Sequence, residues 1–325
     1  MKKKITVFAI SYIVVCGLLF SGCTTTADSA SVTSTTLLDE KGDVPASDAP
    51  AVKGSRDNTP VCLTPAADGI TTYDNGTSFL DVSHTDEGYI LAKYVGDCPK
   101  VKLQITNNGG TTYTYNLVSS DYEAFPLSCG NGTYTIATYE NVSGTSYVTA
   151  LYEEIPVTIT DEFRPFLYPN QYVDFDSSNE VVTLASSLVE PANNDLEAVT
   201  YIYDYVTNNI TYDYSKAETV ESGYTCDVDT ILQSGTGICL DYAAVMCSML
   251  RSQNIPTQLE VGYAGDTYHA WISVYIKDVG WLNGIIEFDG KSWELLDPTF
   301  AAGSSEKDLK KFIGDGSNYT VKYIY

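Results

Sequence analysis

The sequence has few histidines and few basic residues, and both shortages restrict what the protein can do. It contains 2 histidines in 325 residues, and 18 Lys and Arg against 42 Asp and Glu, for a formal net charge of −24 at pH 7. Such a surface repels phosphate backbones and anionic membrane surfaces, so we expect no nucleic-acid partner. A site that needs an imidazole base has only His84 and His269 to use.

Long apolar runs are scarce as well, apart from one near the start. Residues 5–20 are almost wholly apolar behind three lysines, and Ser21, Gly22 and Cys23 follow. This pattern predicts a signal peptide over residues 1–22, and it resembles the lipobox of bacterial lipoproteins, in which Cys23 is lipidated. We expect an extracytoplasmic protein that meets the membrane only through this lipid; an ordinary secretory signal is the alternative. No later transmembrane helix is expected.

Large apolar side chains are then rare over residues 23–60, which are rich in Ser, Thr, Ala, Asp and Pro. Such a stretch cannot bury enough surface to offset the entropy of ordering it. We expect a flexible tether that gives the folded part reach from its anchor.

Strong helix formers are few in residues 61–160, where Tyr, Thr, Val, Gly and Asn dominate. Val101, Leu103 and Ile105 alternate with polar residues, which predicts a strand with one buried face. A hairpin turn is predicted at Asn-Asn-Gly-Gly, residues 107–110. Closely spaced strands and turns predict a small all-β, immunoglobulin-like sandwich. Its tyrosines favour either a surface for sugars or peptides or ordinary strand packing. The predicted strands are 88–95, 100–106, 111–118, 132–140 and 146–158.

Helical spacing of apolar residues begins after residue 160 and predicts an α+β domain over residues 161–325. Helices are predicted near 181–189, 196–206 and 229–233, and another from Cys239 to just before Pro256. Residues 210–214 are predicted to be extended. Alternating patterns predict strands at 258–263, from His269 onward, and at 293–296, and we expect the last two to be neighbours in an antiparallel sheet.

Three residues in this domain stand in contexts suited to nucleophilic catalysis: Cys239, His269 and Asp297, in that order. A thiol attacks as thiolate, a histidine supplies the base, and a carboxylate orients the imidazole. At a helix start, Cys239 would meet the positive end of the helix dipole and unpaired N–H groups. We therefore expect a lowered pKa at Cys239 and help in binding an oxyanion.

The stretch from about residue 202 to 300 resembles the transglutaminase-like superfamily of papain-type cysteine enzymes. The matching pieces are Asn-Ile-Thr-Tyr-Asp at 209–213, Gly-Ile-Cys-Leu-Asp-Tyr-Ala at 237–243, Leu-Arg-Ser-Gln-Asn-Ile-Pro at 250–256, His-Ala-Trp at 269–271 and Leu-Asp-Pro-Thr at 296–299. The resemblance implies Cys239 as nucleophile, His269 as base and acid, and Asp297 as orienting residue. It also implies a central helix packed on an antiparallel sheet.

Members of this superfamily share acyl transfer through a thioester and differ in what attacks next. Hydrolysis of an extracellular peptide or protein is the reaction we expect, with cell-wall peptide stems as one candidate substrate. A protein cross-linking transglutaminase and a catalytically inactive binding or scaffold lipoprotein are the alternatives. Fold alone does not choose among them.

Further candidates rest on residue type and position. Tyr212, Tyr214 and Gln233 are candidates for a second oxyanion donor, and Trp271 is predicted either to line a substrate groove or to pack in the core. No cofactor is expected, and the cysteines lack the short paired spacing of a zinc site. Cys98 with Cys129 and Cys62 with Cys226 are the disulfides we consider first.

Overall fold

The computed structural model describes residues 53–117, 119–264, 266–283, 287–288, 293–294 and 319–325. Two four-stranded antiparallel sheets account for most of residues 72–157. One has the order β1-β2-β3-β6 and the other β5-β4-β7-β8. Their strands are β1 (Thr72–Asp74), β2 (Ser78–Asp81), β3 (Tyr89–Tyr94), β4 (Val101–Asn107), β5 (Thr112–Asn116), β6 (Glu123–Pro126), β7 (Gly132–Ser143) and β8 (Ser146–Val157).

Strand β4 follows the predicted alternation. Val101, Leu103 and Ile105 are buried, and the residues between them are only partly covered. The predicted turn follows, with left-handed backbone at Asn108 (φ 47°) and Gly109 (φ 72°). Two consecutive left-handed residues are typical of the tight turns that join antiparallel strands. Local pattern and turn chemistry together therefore set the register of β4 with β5.

Among the described residues five α-helices follow, and three of them begin with a capping side chain. Asn194, Asp213 and Asp227 accept hydrogen bonds from backbone N–H groups in the first turns of α2, α3 and α4. Residues 210–214 were predicted to be extended, but Asp213 caps α3 and so Tyr214 is helical. The helices are α1 (Glu180–Leu188), α2 (Asp195–Asn209), α3 (Tyr214–Thr219), α4 (Val228–Ser234) and α5 (Cys239–Ser252). Two short 3-10 helices lie at Thr85–Glu87 and Arg164–Phe166.

A third four-stranded antiparallel sheet, of order β13-β12-β11-β16, packs against α5. Trp293–Glu294 (β15), part of the predicted strand 293–296, pairs with Glu287–Phe288 (β14), whereas β12 lies between β11 and β13. The expectation that this strand neighbours the histidine strand is therefore not met among the described residues. The sheet strands are β11 (Thr257–Ala264), β12 (Thr267–Ile276), β13 (Gly280–Asn283) and β16 (Tyr319–Ile324); Thr211–Tyr212 (β9) and Thr236–Gly237 (β10) form a parallel pair.

Helix α5 is the centre of the buried core. From Asp241 to Ser252 every residue of α5 is buried, and the apolar cluster around it includes residues from Leu80 in β2 to Tyr325. Arg251, with no exposed surface, donates to the main-chain oxygens of Tyr168, Thr257 and Tyr325 at 2.7–3.0 Å. Its guanidinium thus ties the end of α5 to three other segments. The predicted boundary between two domains, at residues 160 and 161, stays a prediction.

The end of the predicted tether is not flexible. Arg56 pairs with Asp195 at 2.7 Å and donates to the main-chain oxygen of Gln253 at 2.6 Å, and Asn58 is buried. The prediction of a tether over residues 23–60 is therefore wrong for residues 53–60, which pack on the helices.

All six cysteines in the described residues are free thiols, so neither disulfide considered from the sequence is present. Cys98 lies beside Lys100 at the start of β4, and Cys129 contacts Asn107 at its end. A strand of this length separates the two by far more than a disulfide can span. Cys226 faces Asp241 of α5 instead.

Among the described residues, no helix is long and apolar enough to cross a membrane.

Candidate active site

The chain enters the site through a sharp turn between α4 and α5. Gly235 ends α4 in the left-handed conformation (φ 62°), and β10 then leads to Cys239, the first residue of α5. A Cβ on Gly237 would lie 2.8 Å from the Cβ of Asp241. Glycine is therefore required where the incoming strand passes the first turn of the helix. This path places the sulfur at the helix start, as predicted.

Tyr212 is the predicted auxiliary residue that the fold brings to the cysteine. Strand β9 runs parallel to β10 and pairs Tyr212 with Gly237, two residues before Cys239. The Tyr212 hydroxyl lies within hydrogen-bonding reach of both the thiol and the backbone N–H of Cys239. Burial, followed by the charge that Cys239 can carry, raises the pKa of Tyr212 to about 12. The hydroxyl therefore keeps its proton at neutral pH.

His269 comes from β12, the strand next to the helix start. It is 9% exposed and pairs across β11 with Gly262, which leaves no side chain opposite the imidazole. The backbone N–H of the following residue, Ala270, hydrogen-bonds to the sulfur of Cys239. The chain at His269 therefore passes directly beside the thiol. Asp297, the third predicted member, lies outside the described residues.

Cys239 is partly buried, and this overturns one expectation. Burial raises the pKa of Cys239 above its ordinary value, and the charge of Asp241 acts in the same direction. The N–H groups of Ala270 and Leu240 act against this but do not outweigh it. The helix start alone therefore does not lower the pKa, because the loss of water around the sulfur is the larger effect. A base is needed to remove the proton.

Trp271 is a core residue and not part of an open groove. It is 2% exposed, and its indole N–H donates to the buried carboxylate of Glu260 on the paired strand. Ser273 donates to the other carboxylate oxygen at 2.7 Å. The Trp271 ring stacks on His269 with centroids 6.4 Å apart and an interplanar angle of 27°. Trp271 therefore packs beside the imidazole on the same face of β12.

The remaining predicted residues lie at the rim or away from the thiol. Tyr214 is 60% exposed, and its ring centroid is 5.0 Å from that of Tyr212. Gln233 is exposed near the end of α4, and no hydrogen bond joins it to Cys239 in the part of the chain that the structure describes. Tyr268, 56% exposed and adjacent to His269, interacts electrostatically with Cys239 and was missed from the sequence.

A buried ion pair beside the nucleophile was also missed. Asp241, in the first turn of α5, has no exposed side-chain surface and pairs with Lys216 of α3 at 2.5 Å. Tyr224 donates to the same carboxylate at 2.7 Å. One local signal was available, because an acidic residue at the third position of a helix commonly caps the N–H that precedes the helix. Here Asp241 accepts from the Ile238 N–H at 2.8 Å.

A family model described as the transglutaminase-like superfamily matches residues 182–284. Two curated relatives are each 26% identical to the chain. A UPF0252 protein of Methanocaldococcus jannaschii aligns over 237 residues, 65% of the chain and 65% of its own length. The Bacillus subtilis protein YebA aligns over 206 residues, 57% of the chain and 26% of its own length. The chain thus spans less than two thirds of either relative.

Two solved structures overlap parts of this chain. A proposed cysteine protease from Cytophaga hutchinsonii overlaps 79% of this chain and 74% of its own, with a TM-score of 0.36 and 15% identity. Red sea bream transglutaminase overlaps 65% of this chain and 48% of its own, with a TM-score of 0.28 and 12% identity.

The matched range of the family model contains the helix that begins at Cys239 and the strand that carries His269. Residues 182–284 of this chain are therefore a domain of the transglutaminase-like superfamily.

Proposed function

We propose that this protein is a cysteine acyl-transfer enzyme that cleaves peptide or amide bonds by hydrolysis. Cys239 is the nucleophile, His269 the base and acid, and Asp297 the residue that orients His269. One observation carries the proposal: the sulfur at the start of α5 accepts the backbone N–H of Ala270, the residue next to His269. A thiol, an imidazole-bearing strand and the start of a buried helix thus meet at one point.

The raised pKa of Cys239 sets the first step. His269 takes the thiol proton as the sulfur attacks the carbonyl carbon, which gives a tetrahedral oxyanion. Collapse breaks the C–N bond, and the imidazolium returns the proton to the leaving amine. The product is a thioester on Cys239. Water, deprotonated by His269, then attacks the thioester and releases the acid and the thiol.

The oxyanion needs donors that are already in place. The Cys239 N–H and the Tyr212 hydroxyl lie together at the sulfur, and Tyr212 stays protonated because its pKa is raised to about 12. We assign these two groups to the oxyanion. Tyr214 and Tyr268, both largely exposed at the rim, would contact the substrate on either side of the reacting bond.

The location is part of the same proposal and rests on the sequence. Residues 1–22 act as signal peptide, Cys23 carries lipid, and the part of the predicted tether that precedes residue 53 serves as tether. The immunoglobulin-like sandwich of residues 61–160 orients the enzyme domain towards an extracellular peptide or protein, with cell-wall peptide as one candidate. The two antiparallel sheets of that region support an all-β arrangement.

Product masses test the reaction. The protein is incubated with a glutamine-containing peptide, with and without a labelled primary amine, and the products are weighed. Hydrolysis gives the free acid or the cleaved peptide in both cases, whereas transamidation gives an amine adduct. Cys239→Ala and His269→Ala are the controls and should both be inactive. Turnover that persists in Cys239→Ala would overturn the assignment.

A further inference from the structure

A closed polar cluster holds the first turn of α5, outside the residues assigned to the reaction. The Asp241 carboxylate, with no exposed surface, contacts the ammonium of Lys216 at 2.5 Å and the hydroxyl of Tyr224 at 2.7 Å. Lys216 also donates to Tyr224 at 2.7 Å. The thiol of Cys226 faces the same carboxylate. Lys216, Tyr224 and Cys226 all come from the segment between β9 and α4.

The cluster is tied to the chain on both sides of Cys239. Asp213 accepts from the N–H of Lys216 at 2.9 Å, and its own N–H donates to the carbonyl of Gly237 at 2.9 Å. Asp241 in turn accepts from the Ile238 N–H at 2.8 Å. The backbone just before the nucleophile is therefore held by Asp213 and Asp241, and both aspartates are bridged by Lys216.

A buried carboxylate is costly unless a counter-charge is present. Among the described residues, Lys216 forms the ion pair with Asp241, and its side chain is 26% exposed. The same carboxylate lies close enough to Cys239 to oppose its ionisation. Other described groups that act on this thiol are the hydroxyls of Tyr212 and Tyr268 and the backbone N–H groups of Leu240 and Ala270, the latter next to His269. Lys216 thus affects the ionisation of Cys239 through Asp241.

We propose that Lys216 is a positioning residue of the active site: its ammonium holds Asp241 and the segment before α5 in place, and it cancels the charge that Asp241 presents to Cys239. This inference rests on the proposed function, because it concerns the reactivity of Cys239. It adds an electrostatic role that a purely structural ion pair would lack. The two partners then have opposite effects on the thiol.

Removing the charge of Lys216 in one variant and that of Asp241 in another distinguishes an electrostatic role from a purely structural one. Lys216→Met leaves Asp241 unbalanced, so ionisation of Cys239 becomes harder. Asp241→Asn leaves the ammonium unbalanced and keeps an oxygen for the Ile238 N–H, so ionisation becomes easier. A structural ion pair predicts that both variants loosen the site and change the rate in the same direction.

The experiment is the pH dependence of iodoacetamide alkylation at Cys239 in the full chain. The mass of the Cys239 peptide is followed, because five other thiols in the described part of the chain are free as well. One pH unit corresponds to a factor of ten in thiolate at pH below the midpoint. We expect Lys216→Met to slow alkylation about tenfold at pH 6 and Asp241→Asn to speed it by a similar factor. Lys216→Arg should restore the wild-type profile, and Lys277→Met, an exposed turn residue, should leave it unchanged.

Equal shifts in the two variants, or none, would overturn the inference. His269→Ala, measured in the same series, separates the role of Lys216 from the proposed function. A profile that responds to His269→Ala but not to Lys216→Met or Asp241→Asn rejects only the role of Lys216. A profile that ignores His269→Ala rejects the proposed function itself. If circular dichroism shows that Lys216→Met does not fold, the comparison of Asp241→Asn with Lys216→Arg still shows the direction in which the alkylation rate of Cys239 changes.

Discussion

The indole N–H of Trp271 donates to the carboxylate of Glu260 across the paired strands β11 and β12, on the face of the sheet that also carries His269. Glu260 is 5% exposed, and its second oxygen accepts from Ser273. Burial raises the pKa of Glu260 above its ordinary 4.5, although both hydrogen bonds act to lower it. The contact that supports the imidazole therefore includes a carboxyl group that is costly to ionise.

This cost makes the stability depend on pH in a known direction. Because the pKa is raised on folding, the contribution of Glu260 is fully present below about pH 4.5 and is lost as the pH rises through the folded-state pKa. Glu260→Gln has no such loss. We expect the free energy of unfolding of Glu260→Gln minus that of wild type to rise with pH above about 4.5 and then to level off. Urea titrations at a series of pH values measure this difference. Glu218→Gln, at an exposed position, should give a flat difference, and a flat or falling difference for Glu260→Gln would contradict the account.

Arg251 predicts a large loss of stability on truncation. Its guanidinium meets three main-chain oxygens in a site with no exposed surface, and burial lowers its pKa to about 10. Arg251→Met leaves those oxygens without a donor, so we expect the free energy of unfolding to fall by about 3–5 kcal/mol. Arg164→Met, which removes the surface pair with Glu87, should cost under about 1 kcal/mol. Similar losses in the two variants would show that the buried hydrogen bonds of Arg251 stabilise the fold no more than the surface ion pair of Arg164 does.

Much of this fold follows from local sequence. The alternation of Val101, Leu103 and Ile105 and the Asn-Gly turn after it depend on neighbours within a few residues, and both are present as predicted. The start of α5 at Cys239 also follows from its apolar stripe and from the glycines before it. Tyr212 was a candidate by type, and the β9–β10 pairing carries it to the thiol.

Features that depend on distant segments were not predictable in this way. Lys216 and Asp241 belong to different helices, and nothing in either helix's sequence signals the ion pair between them. The choice of core over groove for Trp271 was decided by Glu260, which lies on another strand. The pKa of Cys239 was predicted with the wrong sign because helix position is local, whereas burial depends on the whole core.

Tyr212 gives a test of the oxyanion assignment. Tyr212→Phe keeps the ring next to Tyr214 and removes the hydroxyl at the Cys239 N–H. Loss of one oxyanion donor lowers kcat by about a hundredfold or more, with little change in KM. Steady-state kinetics on a peptide substrate would measure this, and Tyr152→Phe is the control because its ring is largely exposed on β8, away from the site. An increase in kcat would mean instead that the hydroxyl blocks the oxyanion position in the resting site.

The most direct test of the central claim is the rate of Cys239 alkylation at fixed pH in wild type and in His269→Ala. Cys129, an exposed thiol in the same digest, is the internal reference. Because the partly buried Cys239 has a raised pKa and needs a base to lose its proton, we predict that its rate falls about a hundredfold in His269→Ala while the Cys129 rate stays constant. Equal Cys239 rates in the two proteins would contradict a thiol activated by His269.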